Sequence, residues 1–287
     1  MRRYIVQLII LFSVAFSSGW VGLNSDSPKA VKPTVLSSTI EETYLDFQFE
    51  GYHMVEVETS NGSEYVIDLV GGSSILESGS PDLDKWTSSI IIPDEGTTSI
   101  EVISSEYRDY ENVMVAPSKG NFTRMINPDD VEYVYNDNYD KNNFYPGTLA
   151  ELRDPYIIRD LRGQTVVIYP LQYNPQTQTL RVYSDIQVKV TTTGNDGPNP
   201  LYRTSDNQSL SREYNNIYSS LFLNYANDTR FEYVVDEGNM LIISYGDFMD
   251  EMQPLVDWKN RKGIPTEMVN VSTVGSSSSA IESYVNN

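Results

Sequence analysis

The chain has 287 residues, which is enough for one large or two ordinary domains, and two domains are the expectation. Its formal net charge is -20, from 40 acidic and 20 basic residues, and such a polyanion repels phosphate backbones and anionic lipids. Nucleic acid is therefore excluded as an expected partner. The sequence contains no cysteine, which excludes disulfides, thiolate metal ligands and a thiol nucleophile within it.

The first 22 residues have the order of a secretory signal peptide. Arg2 and Arg3 precede an apolar stretch over residues 5–16, and small residues follow it. Because this stretch is shorter than the roughly 20 residues of a membrane helix, we expect cleavage between Ser17 and Gly22. The mature chain is then secreted or held at the cell surface by way of the bacterial export machinery, with no membrane association. An uncleaved membrane anchor is the alternative.

Two segments with different composition follow the signal peptide. Residues 23–43 are rich in Ser and Pro without apolar periodicity, which predicts a flexible lead segment. Over residues 44–193, apolar and polar residues alternate in short runs that Gly, Pro and Asp interrupt. This pattern favours an antiparallel β-sandwich, so the predicted fold class is mainly β.

Two local signals refine this β-sandwich. The pair Asn61-Gly62 lies between two alternating runs and predicts a tight hairpin turn, because both residues tolerate positive φ. The longest run changes register near Ser184 and Asp185, which predicts a β-bulge there.

The composition changes again after residue 193. Residues 194–230 combine Gly, Asn, Pro and Ser with one amphipathic stretch, which predicts a linker that contains a short docking helix. Residues 231–287 then follow the order strand, helix, strand, helix, which is typical of a parallel sheet with right-handed crossovers. Two strands cannot form a stable sheet of this kind, so we expect an incomplete α/β domain.

The residues by themselves indicate no complete catalytic, metal or cofactor site. His53 is the single histidine, and a histidine in an alternating strand is more often a surface or core residue than a catalyst. A calcium loop that starts at Asp137 fails its pattern, because Asn142 and Thr148 stand where Gly and Glu are needed. We therefore expect no catalytic residue, no metal and no cofactor in this chain.

Several motifs nevertheless resemble one family. The stretch MLIISYGDFMDEMQPLVDWKNRKGIPTEMVNVS resembles the opening of the caspase-like catalytic domain of gingipain-type cysteine peptidases. Upstream, YPG, RDLRGQ, PLQYNP and TLRVY resemble the propeptide of the same family. The resemblance covers residues 44–287 and implies the N-terminal portion of a secreted cysteine endopeptidase precursor. It places the catalytic Cys and His beyond Asn287, so this chain alone is expected to be inactive.

The resemblance also implies how the propeptide acts. In that family it assists folding and keeps the peptidase latent by laying a loop with a basic residue into the specificity pocket. The loop over residues 136–145 contains Lys141, and Arg124 lies on the preceding segment. We expect Lys141 rather than Arg124 to be inserted, so that Lys141→Ala weakens inhibition more than Arg124→Ala. An ordinary surface charge is the alternative role for each.

Maturation of such a precursor requires a cut between propeptide and peptidase. Arg230 precedes FEYVVDEGNM at a spacing like that of the family's processing site. Arg203 and Arg212 are competitors, because they lie in the polar linker and exposed segments tolerate cleavage. The implied partners are the cognate peptidase catalytic domain, in cis, and the protein substrates of the full-length enzyme.

Two other functions stay open. One is a non-catalytic secreted inhibitor or secretion-associated module that keeps the propeptide fold. The other is an adhesive sandwich at the cell surface. A reading frame that continues past Asn287 to a His-Gly segment and a later Cys favours the precursor, whereas a stop codon there contradicts it. Binding to host or polysaccharide ligands, without any effect on a peptidase, would favour adhesion.

Overall fold

The computed structural model describes residues 19–203, 212–227 and 239–286. They fall into two compact units: residues 19–203 with 218–227, and residues 212–217 with 239–286. The strands within these ranges are β1 (Gly19–Gly22), β2 (Thr34–Ser38), β3 (Glu42–Gln48), β4 (Gly51–Thr59), β5 (Gly62–Asp68), β6 (Ser73–Ser74), β7 (Asp84–Ile91), β8 (Thr97–Tyr110), β9 (Ala150–Leu152), β10 (Tyr156–Ile158), β11 (Leu161–Ile168), β12 (Leu171–Asn174), β13 (Thr179–Thr193), β14 (Met240–Ser244) and β15 (Thr266–Asn270). The α-helices are α1 (Arg212–Leu221), α2 (Met249–Arg261), α3 (Val271–Val274) and α4 (Ser278–Val285).

The first unit is built from three sheets whose strand pairs are antiparallel. One sheet has the order β1-β4-β5, and the second has the order β10-β11-β7-β6 with β9 also paired to β11. The third has the order β12-β13-β3-β2, with β8 also paired to β13. Side chains from all three sheets contribute to one hydrophobic core. The mainly β, antiparallel fold predicted from the alternating runs is confirmed.

Strand β13 organises the third sheet. It pairs with β3 and, along most of its length, with β8. On each side of Ser184, buried aliphatic residues recur at every second position: Leu180, Val182, Ile186, Val188 and Val190. Each side chain stabilises the fold by roughly 1.5–3 kcal/mol through its removal from water. The pairing with β8 skips one residue between Tyr183 and Asp185, which is the predicted bulge.

The predicted hairpin is also present. β4 and β5 pair from His53↔Asp68 to Thr59↔Gly62, so that Asn61 and Gly62 lie at the turn. Gly62 has φ +105°, which a residue with a Cβ adopts only under strain. The turn therefore fixes the register of both strands.

Residues 23–43 differ from the expectation of a flexible lead segment. β2 lies within them and pairs with β3, with Val35 opposite Leu45, and Val31 is 8 % exposed in the core. β2 is a short edge strand of five residues, so composition alone did not reveal it. Strand β1, within the predicted signal segment, pairs with β4.

Residues 194–203, which we call the strap, lie against the first unit. The guanidinium of Arg162 is fully buried and donates to four backbone carbonyl oxygens, two of them in the strap. The acceptors are those of Pro93 at 2.9 Å, Gly96 at 3.1 Å, Pro198 at 2.7 Å and Asn199 at 3.0 Å. The buried cation is thereby hydrogen-bonded, which such a group requires.

The chain returns to the first unit at the end of α1. Tyr218 and Phe222 are buried, and the ring of Phe222 stacks on that of Tyr156 with 6.3 Å between centroids. Asn224 accepts from Ile91 N at 2.7 Å and donates to Ile91 O at 2.9 Å, like an added strand residue. The predicted docking helix is therefore present, and its docked residues extend to residue 225.

The second unit contains the predicted order of strands and helices. β14 and β15 pair in parallel from Met240↔Thr266 onward, and Gly263 at φ +80° follows the end of α2. Ser277 caps α4 by accepting from Ala280 N at 3.2 Å. The sequence offers Asp247 or Asp250 as a cap for α2, but the N-cap is Phe248, because a 3₁₀ turn over Gly246–Phe248 leads directly into the helix. In the described ranges, no helix has the length and apolar character needed to cross a bilayer.

Candidate functional site

Two neighbouring loops carry the basic residues of interest, and both are anchored on one turn. We call residues 119–135 the arginine loop and residues 136–145 the lysine loop. Gly79 N donates to Ser118 O at 2.9 Å, and Asn136 N donates to Gly79 O at 3.0 Å. A Cβ at Gly79 would lie 2.9 Å from Asn136 N, so glycine is required at this junction. The arginine loop is therefore closed at its base.

The outer part of the arginine loop projects into solvent. Residues 123–130 are all exposed, and Ile126 N donates to Thr123 O at 3.0 Å, which places Arg124 and Met125 at the centre of a turn. Met125 is 96 % exposed and Ile126 45 % exposed. Apolar side chains exposed beside an arginine are typical of a surface that meets a partner. Among the described residues, none is hydrogen-bonded or ion-paired with the Arg124 guanidinium.

A lysine at the start of this loop joins its two sides. Lys119 Nζ donates to Pro128 O at 2.8 Å and lies 4.4 Å from the centroid of the Tyr133 ring. Gly120 N donates to the Ser118 hydroxyl oxygen at 3.2 Å, which holds the first residues of the loop against the core. Sequence reasoning did not single out Lys119, because its partners become neighbours only when the loop closes.

The lysine loop is held more tightly. Asn136 caps the 3₁₀ turn over Asp137–Asp140, and its Nδ2 donates to Ser78 O at 3.0 Å and to the Ser80 hydroxyl at 2.9 Å. Lys141 is exposed, but its Nζ donates to Asn138 Oδ1 at 2.8 Å, within the same turn. The ammonium group is thus directed back toward its own loop.

Three tyrosine hydroxyls attach this region to the core. Tyr135 donates to Glu64 Oε2 at 2.6 Å, Tyr139 donates to Val115 O at 2.8 Å, and Tyr145 donates to Glu77 Oε2 at 2.8 Å. Burial, followed by the hydrogen bond to the Glu64 carboxylate, raises the pKa of Tyr135 to about 12. These hydroxyls remain donors at physiological pH, so the frame around the arginine loop is fixed.

The three predicted processing residues lie in different surroundings. Arg203 forms an ion pair with Asp94 and also donates from Nη2 to Asp160 O at 2.8 Å, so the strap holds it against the first unit. Arg212 is the first residue of α1. Arg230 lies outside the described residues.

Three carboxylates that the sequence patterns did not reveal interact with one another, and one of them, Asp82, also interacts with Tyr133 and Tyr139 of the loops. Burial raises the pKa of Asp82 to about 6, with smaller contributions from Asp68 and Asp84. Asp84 accepts from Leu69 N at 2.9 Å and from the Ser74 hydroxyl at 3.1 Å. Burial also raises the pKa of Asp68 and of Asp84. The sequence gives no sign of this group, because Asp68 ends β5, whereas Asp84 begins β7.

His53 has a packing contact. Its ring lies edge-on to Trp20 with 5.2 Å between centroids, and it stands opposite Asp68 in the β4–β5 pair. The described part of the chain contains no group of three His, Asp or Glu side chains that could hold a metal ion. The region with the geometry of a functional site is therefore the arginine loop.

Comparison with known proteins gives a family. The family model described as Propeptide_C25 matches residues 26–231. Gingipain R2 of Porphyromonas gingivalis is 34 % identical over 284 residues, which are 96 % of this chain and 38 % of that protein. Lys-gingipain of the same organism is 22 % identical over 292 residues, 96 % of this chain and 17 % of that protein. The chain thus spans well under half the length of these relatives.

Two solved structures are similar as well. One is the complex of Porphyromonas gingivalis RgpB pro- and mature domains, with a TM-score of 0.63 and 36 % identity, over 68 % of this chain and 97 % of that chain. The other, on the zymogenic latency of gingipain K from Porphyromonas gingivalis, has a TM-score of 0.53 at 22 % identity and covers 62 % of this chain and 100 % of that chain. At that identity the second likeness shows the fold alone. Family match, identity and fold agree, and the chain belongs to the gingipain propeptide family.

Proposed function

We propose that this chain is the N-terminal portion of the precursor of a secreted, gingipain-like cysteine endopeptidase. The first unit is the propeptide, which keeps the peptidase latent and assists its folding. The observation that carries the proposal is the arginine at the tip of a projecting loop whose base is closed on the core. A loop that is ordered before binding inhibits well, because little conformational entropy is lost on association.

Arg124 is the residue that we propose enters the specificity pocket. It lies at the centre of the Thr123–Ile126 turn, whereas the ammonium of Lys141 donates back to Asn138. Using Lys141 would require breaking that hydrogen bond, so Lys141 becomes the second candidate. The exposed Met125 and Ile126 would add apolar contact area beside the pocket.

The second unit is proposed to be the opening of the caspase-like catalytic domain. The parallel pair β14–β15 with α2 between its strands is the arrangement expected at the start of such a domain. The sequence contains no cysteine, so this chain alone has no thiol nucleophile and is proposed to be inactive. We propose that processing occurs after Arg230. This residue comes three positions after Asn227, where the described range that contains α1 ends.

Export by the N-terminal signal peptide is part of the proposal. Cleavage before Gly19 keeps β1 and its pairing with β4, whereas cleavage after Gly22 removes that strand from the sheet. We therefore place the cleavage between Ser17 and Gly19, at the early end of the expected window. The mature chain is secreted or stays at the cell surface.

Inhibition in trans tests the proposal. The chain from Gly19 to Asn287 is titrated against mature Gingipain R2, and hydrolysis of a fluorogenic peptide with arginine before the scissile bond is followed. Competitive inhibition is expected, and Arg124→Ala should raise the inhibition constant about 100-fold, as for a central interface residue. Lys141→Ala is the matched loop variant and should have the smaller effect. No inhibition by the wild-type chain contradicts the proposal.

A further inference from the structure

We infer that Lys119 is a positioning residue for Arg124, and that it acts by latching the base of the arginine loop. The inference rests on the proposed latency function and deepens it. Lys119 is five positions before Arg124, and its ammonium nitrogen donates to Pro128 O, four positions after Arg124, at 2.8 Å. The bond therefore joins the two sides of the loop that carries the exposed turn.

The surroundings of Lys119 fix the geometry of this latch. The residue before it, Ser118, is buried, and its N–H donates to Ser80 O at 2.7 Å. Gly120 has φ +82°, and a Cβ there would lie 2.8 Å from the Cβ of Ser78. The backbone on both sides of Lys119 is thus held close to the core, so its side chain starts from a fixed point.

The side of the loop that carries the acceptor, Pro128, is fixed too. Pro128 begins a 3₁₀ turn over Pro128–Asp130, which Asn127 caps by accepting from Asp129 N at 3.3 Å. Pro128 O also accepts from Val131 N at 3.2 Å, so the lysine completes its hydrogen bonding. The Tyr133 ring lies 4.4 Å from Lys119 Nζ, a distance at which the ring face attracts a cation.

The consequence for Arg124 is a loss of loop freedom before binding. Within the latched segment, residues 123–128 are exposed and are ordered by the short turn at Thr123–Ile126. Without the latch, no bond joins Lys119 to Pro128, so the stretch between Gly120 and Tyr135, which the core holds at both ends, forms one longer mobile segment. A longer loop samples more conformations, so presenting Arg124 then costs more entropy.

Two variants test the latch, one at the ammonium group of Lys119 and one at the aromatic ring beside it. Lys119→Met keeps an apolar stem of similar length and removes the donor, and Tyr133→Leu removes the ring. Each is expected to raise the inhibition constant against mature Gingipain R2 about five- to tenfold, mostly through slower association. The matched control is Lys85→Met, because Lys85 Nζ also donates to a backbone carbonyl, that of Ser74 at 2.6 Å, on another part of the fold. Lys85→Met should leave the inhibition constant unchanged.

Two further readouts make the inference falsifiable. In an Arg124→Ala background, Lys119→Met should have no additional effect on inhibition, because the latch acts through Arg124. Amide hydrogen exchange of the whole chain, with no peptidase present, should be faster over residues 120–128 in Lys119→Met than in the wild type. An inhibition constant that Lys119→Met leaves unchanged, or raises equally with and without Arg124, overturns the inference.

These outcomes are distinct from failure of the proposed function. If Arg124→Ala inhibits as well as the wild type, the proposed latency role of Arg124 fails, whatever the exchange experiment shows. If Arg124→Ala loses inhibition and Lys119→Met neither loses inhibition nor speeds exchange, the latency role stands and the latch is overturned.

Discussion

Arg162 donates a hydrogen bond at 2.7 Å to the carbonyl oxygen of Pro198, although the two residues are 36 positions apart and the arginine is fully buried. Its other bonds go to carbonyl oxygens of the strap and of the β7–β8 connection. This one side chain therefore joins the strap to the β7–β8 connection of the first unit.

We predict that Arg162→Met destabilises the first unit by about 3 kcal/mol, because four backbone carbonyl oxygens, that of Gly96 in a buried contact, lose a charged donor. The measurement is urea unfolding of the chain from Gly19 to Asn287, followed by far-UV circular dichroism. Arg181→Met is the matched control: Arg181 forms a partly exposed ion pair with Asp109, and its loss should cost about 1 kcal/mol or less. Equal destabilisation by both variants would contradict the role of Arg162 in holding the strap.

The ion pair between Arg203 and Asp94 gives a prediction about cleavage. Because the guanidinium of Arg203 also donates to Asp160 O, an endopeptidase specific for arginine should cut after Arg230 before it cuts after Arg203. Asp94→Asn removes the charge partner and should speed the cut after Arg203 several-fold, since opening of the strap then costs less. Mass spectrometry of timed digests measures both products. Initial cleavage of the wild type after Arg203 would contradict the protective role.

Local patterns predicted much of the fold, and long-range contacts explain the rest. The alternation in β13 and the Asn61-Gly62 pair depend on neighbours in the sequence, so both were visible there. The contacts of Arg162 depend on residues as far as 69 positions away, which no local pattern reports. The strap therefore looked like a linker.

The site was partly predictable for the same reason. Arg124 and Lys141 were identifiable as basic residues in polar segments, but their order of preference depended on side-chain surroundings. The bond from Lys141 to Asn138 and the turn at Thr123–Ile126 appear only in the folded chain. Lys119 gave no signal, because its acceptor, Pro128, and its aromatic neighbour, Tyr133, lie on the opposite side of the loop and approach it only when the loop closes.

Asn224 provides a test of how the residues after α1 are attached to the first unit. Its side chain bonds to both the N–H and the carbonyl of Ile91, so Asn224→Ala should leave two buried backbone groups without these partners. We predict a loss of about 2 kcal/mol in the free energy of unfolding of the first unit. Urea unfolding measures the loss. A matched variant, Asn61→Ala at the exposed hairpin turn, should cost less than Asn224→Ala; a larger cost there would argue against the docking role.

The three interacting carboxylates predict an unusual pH dependence. The pKa of Asp82 is about 6 in the folded chain, above its ordinary value of 3.8, chiefly because of burial and then because of Asp68 and Asp84. A raised carboxyl pKa means that the folded state binds the proton more tightly than the unfolded state does. The stabilisation from Asp82 is therefore fully present below about pH 4 and is lost as the pH rises through about 6.

Asp82→Asn should remove this dependence. At pH 7.5 the variant is expected to be more stable than the wild type by about 1–2 kcal/mol, because it no longer carries a partly buried charge beside two other carboxylates. Near pH 4 the difference should vanish, since Asp82 is then protonated. Asp82 also interacts electrostatically with Tyr133 and Tyr139 of the loops, while His53 acts on Asp68 and Lys85 acts on Asp84.

Because other charged groups surround these carboxylates, a matched control is necessary. Asp26→Asn is suitable, because Asp26 is exposed, and it should leave the pH profile of the unfolding free energy unchanged. Thermal and urea unfolding between pH 4 and pH 8 measure all three chains. A wild-type propeptide that gains stability between pH 4 and pH 7, with Asp82→Asn following the same curve, would show that burial of Asp82 is not what sets the profile.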